Sequence, residues 1–252
     1  MPQTQTNHTG ATMQNIELLN RVLNRAEMIL LQPQQQYAWN DIVQGANVAR
    51  PDGCYKKWAA VERNTFRGFH KIDKQGQGSG DVFKTYLVSN RDTIIDQLKA
   101  VQSADDLHRL EVKPCADIKP KMLNIKPTML TSFNKIRKPL DLYIEHLVTM
   151  AKELSEDRQR LVSCLFLPLD SQMFQQADLF SEQELRAAGI SRNSTYTNVN
   201  TEQAYLLLQN TVKVKADAIG AALGKPFYPI YFDLLWNGRV DRWGSNLFET
   251  NP

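Results

Sequence analysis

Apolar residues recur at helical spacing in several long stretches of the chain. Between 15 and 31, Leu19, Val22, Leu23, Ala26 and Leu30 fall on one stripe with Arg21 and Arg25 turned away, which predicts an amphipathic helix. Asp92 precedes Ile94, Ile95, Leu98 and Val101, a short capped helix. From Pro139 onward, Leu140, Ile144, Leu147, Val148, Ala151 and Leu154 form a continuous apolar stripe. Over 201–223 the stripe is Tyr205, Leu208, Val212, Ala216, Ile219 and Leu223, and Gly224 stands where a helix should end. Shorter helices are predicted over 57–63 and 156–165, and over 182–188 between the capping box Ser181-Glu-Gln-Glu184 and Gly189. Ser103-Ala-Asp-Asp106 resembles a second capping box, opening a helix that Pro114 is expected to stop.

Elsewhere the composition points to strands. Residues 65–72 and 81–88 are rich in Phe, Tyr, Val and Thr and flank the loop KQGQGSG at 74–80. Asn237-Gly238 separates two apolar segments, 230–236 and 239–243, the sequence mark of a tight hairpin. Trp39, Tyr55 and Trp58 surround a turn at Pro51-Asp52-Gly53. The expected fold class is therefore α+β, predominantly helical with two antiparallel β-hairpins. Residues 1–14 are polar and expected to be disordered, 15–112 form an N-terminal α+β part, 113–138 a basic proline-punctuated joint, and 139–252 a helical part with a C-terminal hairpin. No Gly/Ser-rich linker separates the two parts, so they are free to pack as one body.

The joint contains two seven-residue blocks in tandem, DIKPKML and NIKPTML, at 117–130. In each, the Asp117 or Asn124 side chain can bond the backbone two residues on, and the following proline suits a first helical position. The second block is expected to run on through Met129, Leu130, Phe133 and Ile136. The Ile, Met and Leu positions should pack inward, leaving Lys119, Lys121 and Lys126 in water.

The totals place the chain among ordinary globular proteins: 42% hydrophobic and 23% charged over 252 residues. No apolar run approaches the roughly 20 residues that cross a bilayer, so no membrane association is expected. The polar N-terminus lacks the basic start and apolar centre of a secretory signal. Three dispersed cysteines without CxxC spacing argue against zinc and a disulfide framework, and suit a reducing, cytoplasmic setting. Charge changes the picture more. The net is only +3, but 113–138 alone carries +6, since seven Lys and Arg face Asp117 alone, and the remainder sums to −3. Such concentration bears on association.

Candidate chemistry follows from that charge. The glycine-rich loop lacks the lysine and hydroxyl of a phosphate loop, and a strand is expected after it where a helix is required. The histidines have no metal spacing, and no Gly-x-Ser-x-Gly elbow occurs. The leading expectation is contact with nucleic acid or a similar polyanion through Lys119, Lys121, Lys126, Lys135, Arg137 and Lys138, together with Arg67, Lys71 and Lys84 of the first hairpin. There His70 and Lys74 add charge, and Phe66, Phe69, Phe83 and Tyr86 are interleaved, either as stacking platforms or as the hairpin's core face. A second reading rests on Leu110-Glu111-Val112-Lys113. With Asp81 upstream and Glu62 before it, the Glu-x-Lys triplet resembles the PD-(D/E)xK nuclease pattern. That resemblance implies Mg²⁺ held by Asp81 and Glu111, with Lys113 positioning the attacking water. It departs from the pattern in that 103–112 reads as a capped helix and not a strand. Outside it, no cofactor is expected. A third reading is a non-enzymatic assembly subunit that docks through the aromatic C-terminal segment WNGRVDRWGSNLFETNP.

Overall fold

Side-chain caps set where several of the helices begin. Ser103, Ser181 and Thr201 each accept a hydrogen bond from the backbone amide three residues on, and Asp170 accepts from Gln172 and Met173. The computed structural model describes residues 8–45, 61 and 63–235. Its helices are α1 (His8–Ala26), α2 (Trp39–Gln44), α3 (Ser79–Ser89), α4 (Arg91–Ala100), α5 (Ala104–Ile118), α6 (Phe133–Met150), α7 (Arg158–Cys164), α8 (Ser171–Gln175), α9 (Glu182–Ala187) and α10 (Glu202–Leu223). A wider π-helical turn, Glu27–Leu31, continues α1. Gly189 and Gly224 close α9 and α10 at φ of 74° and 64°, a region that costs glycine nothing.

The core is built around α6. Helices α2, α5, α7 and α10 pack against it, and every residue from Asn134 to Met150 is buried. Buried apolar side chains from Val22 to Leu234 join in one contiguous cluster. No helix among the described residues is long and apolar enough to cross a membrane.

The α+β expectation is overturned. Among the described residues there is no sheet, only two isolated bridges, Tyr37 with Ala151 and Lys71 with Ile125. The segment 81–88 lies inside α3. Its buried residues Val82, Phe83, Tyr86 and Leu87 recur at helical spacing, and Asp81 bonds back to the Gly78 amide as a cap. Their strand-favouring side chains were outweighed by that period, as happens readily for a propensity that mostly reports packing. Of 65–72, Thr65 and Phe66 belong to a 3₁₀ turn, Arg63–Phe66, and only Lys71 makes a bridge. The first arm of the expected C-terminal hairpin is also 3₁₀ helical, over Pro229–Leu235. Its Asn237-Gly238 turn and second arm lie outside the described residues, as do the Pro51-Asp52-Gly53 turn, Tyr55, Trp58, Cys54 and most of the helix expected over 57–63.

Two prolines are placed differently as well. Pro114 does not stop α5 but sits inside it, buried on the face that also carries Leu107, Glu111 and Ile118. Packing along that face outweighs the lost backbone hydrogen bond. Pro139 does not begin α6 but lies within it, because the helix starts at Phe133. That earlier start carries Lys135, Arg137 and Lys138 into the interior.

Candidate nucleic-acid interface and a buried ion cluster

The tandem blocks at 117–130 contain two 3₁₀ turns, Lys119–Lys121 with Pro120 in its middle and Pro127–Met129 with its proline first. The blocks match in their isoleucines, since Ile118 and Ile125 are both buried. They differ in their leucines: Leu130 is buried while Leu123 stands in water. Neither block makes the expected local turn with its first residue. Asp117 lies on α5 and accepts from Lys113 at 2.6 Å and from the Tyr86 hydroxyl at 2.9 Å, contacts that hold its carboxyl below the usual range. Asn124 instead reaches across to the glycine-rich loop. Its Oδ1 accepts from the Asp73 amide at 3.0 Å, and its Nδ2 donates to the Asp73 and Gln77 carbonyls at 2.7 and 3.4 Å.

Backbone bonds complete the join. The Ile72 amide donates to the Asn124 carbonyl at 2.8 Å, and the Lys126 amide donates to the His70 carbonyl at 3.0 Å. These two bonds flank the Lys71–Ile125 pair and make one antiparallel bridge. Two segments far apart in the sequence, both lysine-bearing, thus lie edge to edge. Lys74, Lys119, Lys121 and Lys126 are exposed there. Lys121 sits 5.0 Å from the centre of the Tyr86 ring, beside a cleft of about 110 Å³ lined by Gln77, Val82, Thr85, Tyr86, Ser89 and Lys121. A cation, an amide and two hydroxyls on a small concavity suit one phosphate group.

The remaining expected cations are deployed otherwise. Lys71 donates to the Gly76 carbonyl at 2.7 Å, tying the loop to itself. Lys84 donates to the Gln44 carbonyl at 3.1 Å. Arg67 is exposed, after the 3₁₀ turn. Lys135 is buried, donates to the Gly68 carbonyl and lies 5.0 Å from the Phe69 ring centre; burial lowers its pKa. Lys138 is buried against Asp170 at 3.1 Å and the Tyr196 ring at 4.9 Å. The interleaved aromatics are core: Phe69, Phe83 and Tyr86 are buried, and Phe66 packs against the core. A helix does follow the glycine-rich loop, contrary to the expected strand. Its N-terminus is already served by the Asp81 carboxylate, which disfavours an anion there.

Arg137 is the centre of a second constellation. It is fully buried, with its Nε donating to Asp141 at 2.6 Å and its Nη2 to Glu111. Its guanidinium lies against the neighbouring rings of Phe166 and Tyr205, at 5.0 and 4.9 Å from their centres. Tyr205 donates its hydroxyl to Asp141 at 3.0 Å. His108 Nδ1 lies 3.2 Å from Arg137 Nη1 and so must accept, leaving Nε2–H to donate to Glu202 at 2.7 Å. One cation between two buried carboxylates leaves a surplus of negative charge. Burial, opposed by Arg137, pushes the Glu111 carboxyl up to about 8, and burial lifts Asp141 to about 6.

Three residues of the nuclease reading are accordingly engaged in separate contacts. Glu111 faces the interior and Arg137, Lys113 reaches the surface and Asp117, and Asp81 caps α3. Glu62 lies outside the described residues. The roles of Asn124 and Arg137 were missed in the sequence. The spacing of Arg137 and Asp141, four apart, was the available sign of an ion pair on a helix that begins before Pro139. Comparison of the chain with protein-family models, curated proteins and solved structures returns no match.

Proposed function

We propose that the protein contacts nucleic acid, or a polyanion of like charge density, through the bridged face of residues 70–78 and 119–127. The observation that carries this reading is the bridge itself, which joins the segment that carries Lys74 to the one that carries Lys119, Lys121 and Lys126. Local acids offset the face only in part. Asp117 is taken up by Lys113 and Tyr86, and the Asp73 carboxylate accepts from the Gln75 amide at 3.0 Å. Cations on neighbouring segments neutralise successive phosphates and release their counterions, giving salt-dependent affinity. The cleft beside Lys121 offers a seat for one of those phosphates.

The reading uses fewer cations than the sequence offered, because Lys135, Arg137 and Lys138 are buried. The test is fluorescence anisotropy with labelled single- and double-stranded DNA and RNA across about 50 to 200 mM salt. Replacing Lys74, Lys119, Lys121 and Lys126 together with Ala should weaken binding at least a hundredfold and flatten the salt slope by about three to four. Unchanged affinity in that variant would reject the face.

A further inference from the structure

Two large aliphatic side chains stand in water on the two bridged segments of the basic face. Ile72 is 63% exposed and Leu123 is 85% exposed. Ile72 donates its amide to the Asn124 carbonyl, and Leu123 is the residue before Asn124, so the two are backbone neighbours across the bridge. The bridge and the Asn124 side chain hold their backbones in place. The same two segments carry Lys74, Lys121 and Lys126, all exposed.

We propose that Ile72 and Leu123 form a wedge that enters between base steps of a nucleic-acid duplex while the lysines of the same segments hold the flanking phosphates. This rests on the polyanion-contacting reading above and specifies its partner as double-stranded. Aliphatic side chains are poor platforms for unpaired bases, which stack on aromatic rings. They are the kind of side chain that partly unstacks a duplex step, usually from the minor groove. The rest of the loop fits the same partner. Gln75 and Gln77 are exposed on it and carry amides suited to groove acceptors.

The experiment uses the full chain and a short DNA duplex with 2-aminopurine at a central, easily unstacked TA step. Wild-type protein should raise the probe's fluorescence on binding. Ile72→Ala and Leu123→Ala should each weaken duplex binding about tenfold, with the salt slope unchanged because no phosphate contact is lost. The double variant should abolish the fluorescence rise. Both positions are exposed, so melting temperatures should match wild type and confirm intact folding. If the variants bind and unstack the duplex as wild type does, the wedge is rejected while the polyanion reading stands. If wild-type protein shows no salt-dependent binding to any nucleic acid, both fail. If the pair is instead required for binding to vesicles of phosphatidylserine and phosphatidylcholine, with no effect on duplex, the partner is a membrane surface and the proposal is overturned.

Discussion

The Asn124 side chain holds Asp73 by both of its hydrogen-bonding groups, accepting from the Asp73 amide and donating to its carbonyl. An asparagine amide used this way replaces a pair of backbone ladder bonds and fixes where a loop leaves its bridge. Replacing Asn124 with Ala should release residues 73–78 while leaving the core intact. The expected cost in stability is about 1 kcal/mol or less, since the bonds are exposed. Binding to nucleic acid should fall severalfold. Amide hydrogen exchange within 73–78 should rise, with no change at α6; equal exchange in the variant would show that the loop is held by something else.

Arg137 sets the opposite kind of expectation. Its guanidinium bonds Glu111 and Asp141, both fully buried, so Arg137→Ala leaves that acidic pair without its cation in the interior. Breaking a buried pair from one side typically costs about 3–5 kcal/mol. Lys119→Ala on the exposed face should stay within about 0.5 kcal/mol of wild type. Chemical denaturation of the two variants separates the roles that the sequence assigned jointly to the basic segment. Comparable stabilities would contradict the burial of Arg137.

The helical periods were legible where an apolar stripe ran for three turns or more, as in α1 and α10, and in the shorter α4. They were misread at α3, where Val, Phe, Thr and Tyr favour strands by composition but are spaced for a helix. Asp81, three residues after Gly78, was the overlooked cap. The ends of α5 and α6 were misjudged for one reason: proline was taken as a boundary, but buried packing carries the helix across it. The basic segment was visible as a charge run. Its division into wet lysines and a buried Arg137 was not, because that depends on which elements surround α6. The bridge between 70–72 and 124–126 is a long-range pairing with no local signature at all.

The ion cluster predicts a pH dependence. Glu111 ordinarily titrates near 4.5, and burial pushes it up to about 8 in the folded protein; Asp141 is lifted from 3.8 to about 6. A folded state that holds a proton the unfolded chain releases is stabilised at low pH and loses that contribution as pH rises. As pH rises toward about 8, where the Glu111 carboxyl finally gives up its proton in the folded protein, that contribution should fall steadily. Glu111→Gln keeps the shape and removes the proton, so the difference in stability between variant and wild type should shift in favour of the variant across that window. Urea melts at pH 6, 7 and 8 give the comparison. A constant difference would mean that Glu111 stays ionised beside Arg137 throughout.

Gly76 and Asn124 should behave as one unit. A Cβ at position 76 would fall within 2.4–2.6 Å of the Asn124 amide group, closer than any real contact. The amide cannot swing aside cheaply, because it is bonded on both of its atoms to the loop. Gly76→Ala should therefore free residues 73–78 much as Asn124→Ala does, and weaken binding to a similar degree. In Asn124→Ala the obstructing atoms are gone, so adding Gly76→Ala should cost almost nothing more. The double variant then departs from additivity by about the whole effect of one substitution, as expected for residues in direct contact. Melting curves and hydrogen exchange on the two single variants and the double variant complete the cycle. Additive losses would mean that the glycine is required for the loop's own path and not for the space that Asn124 occupies.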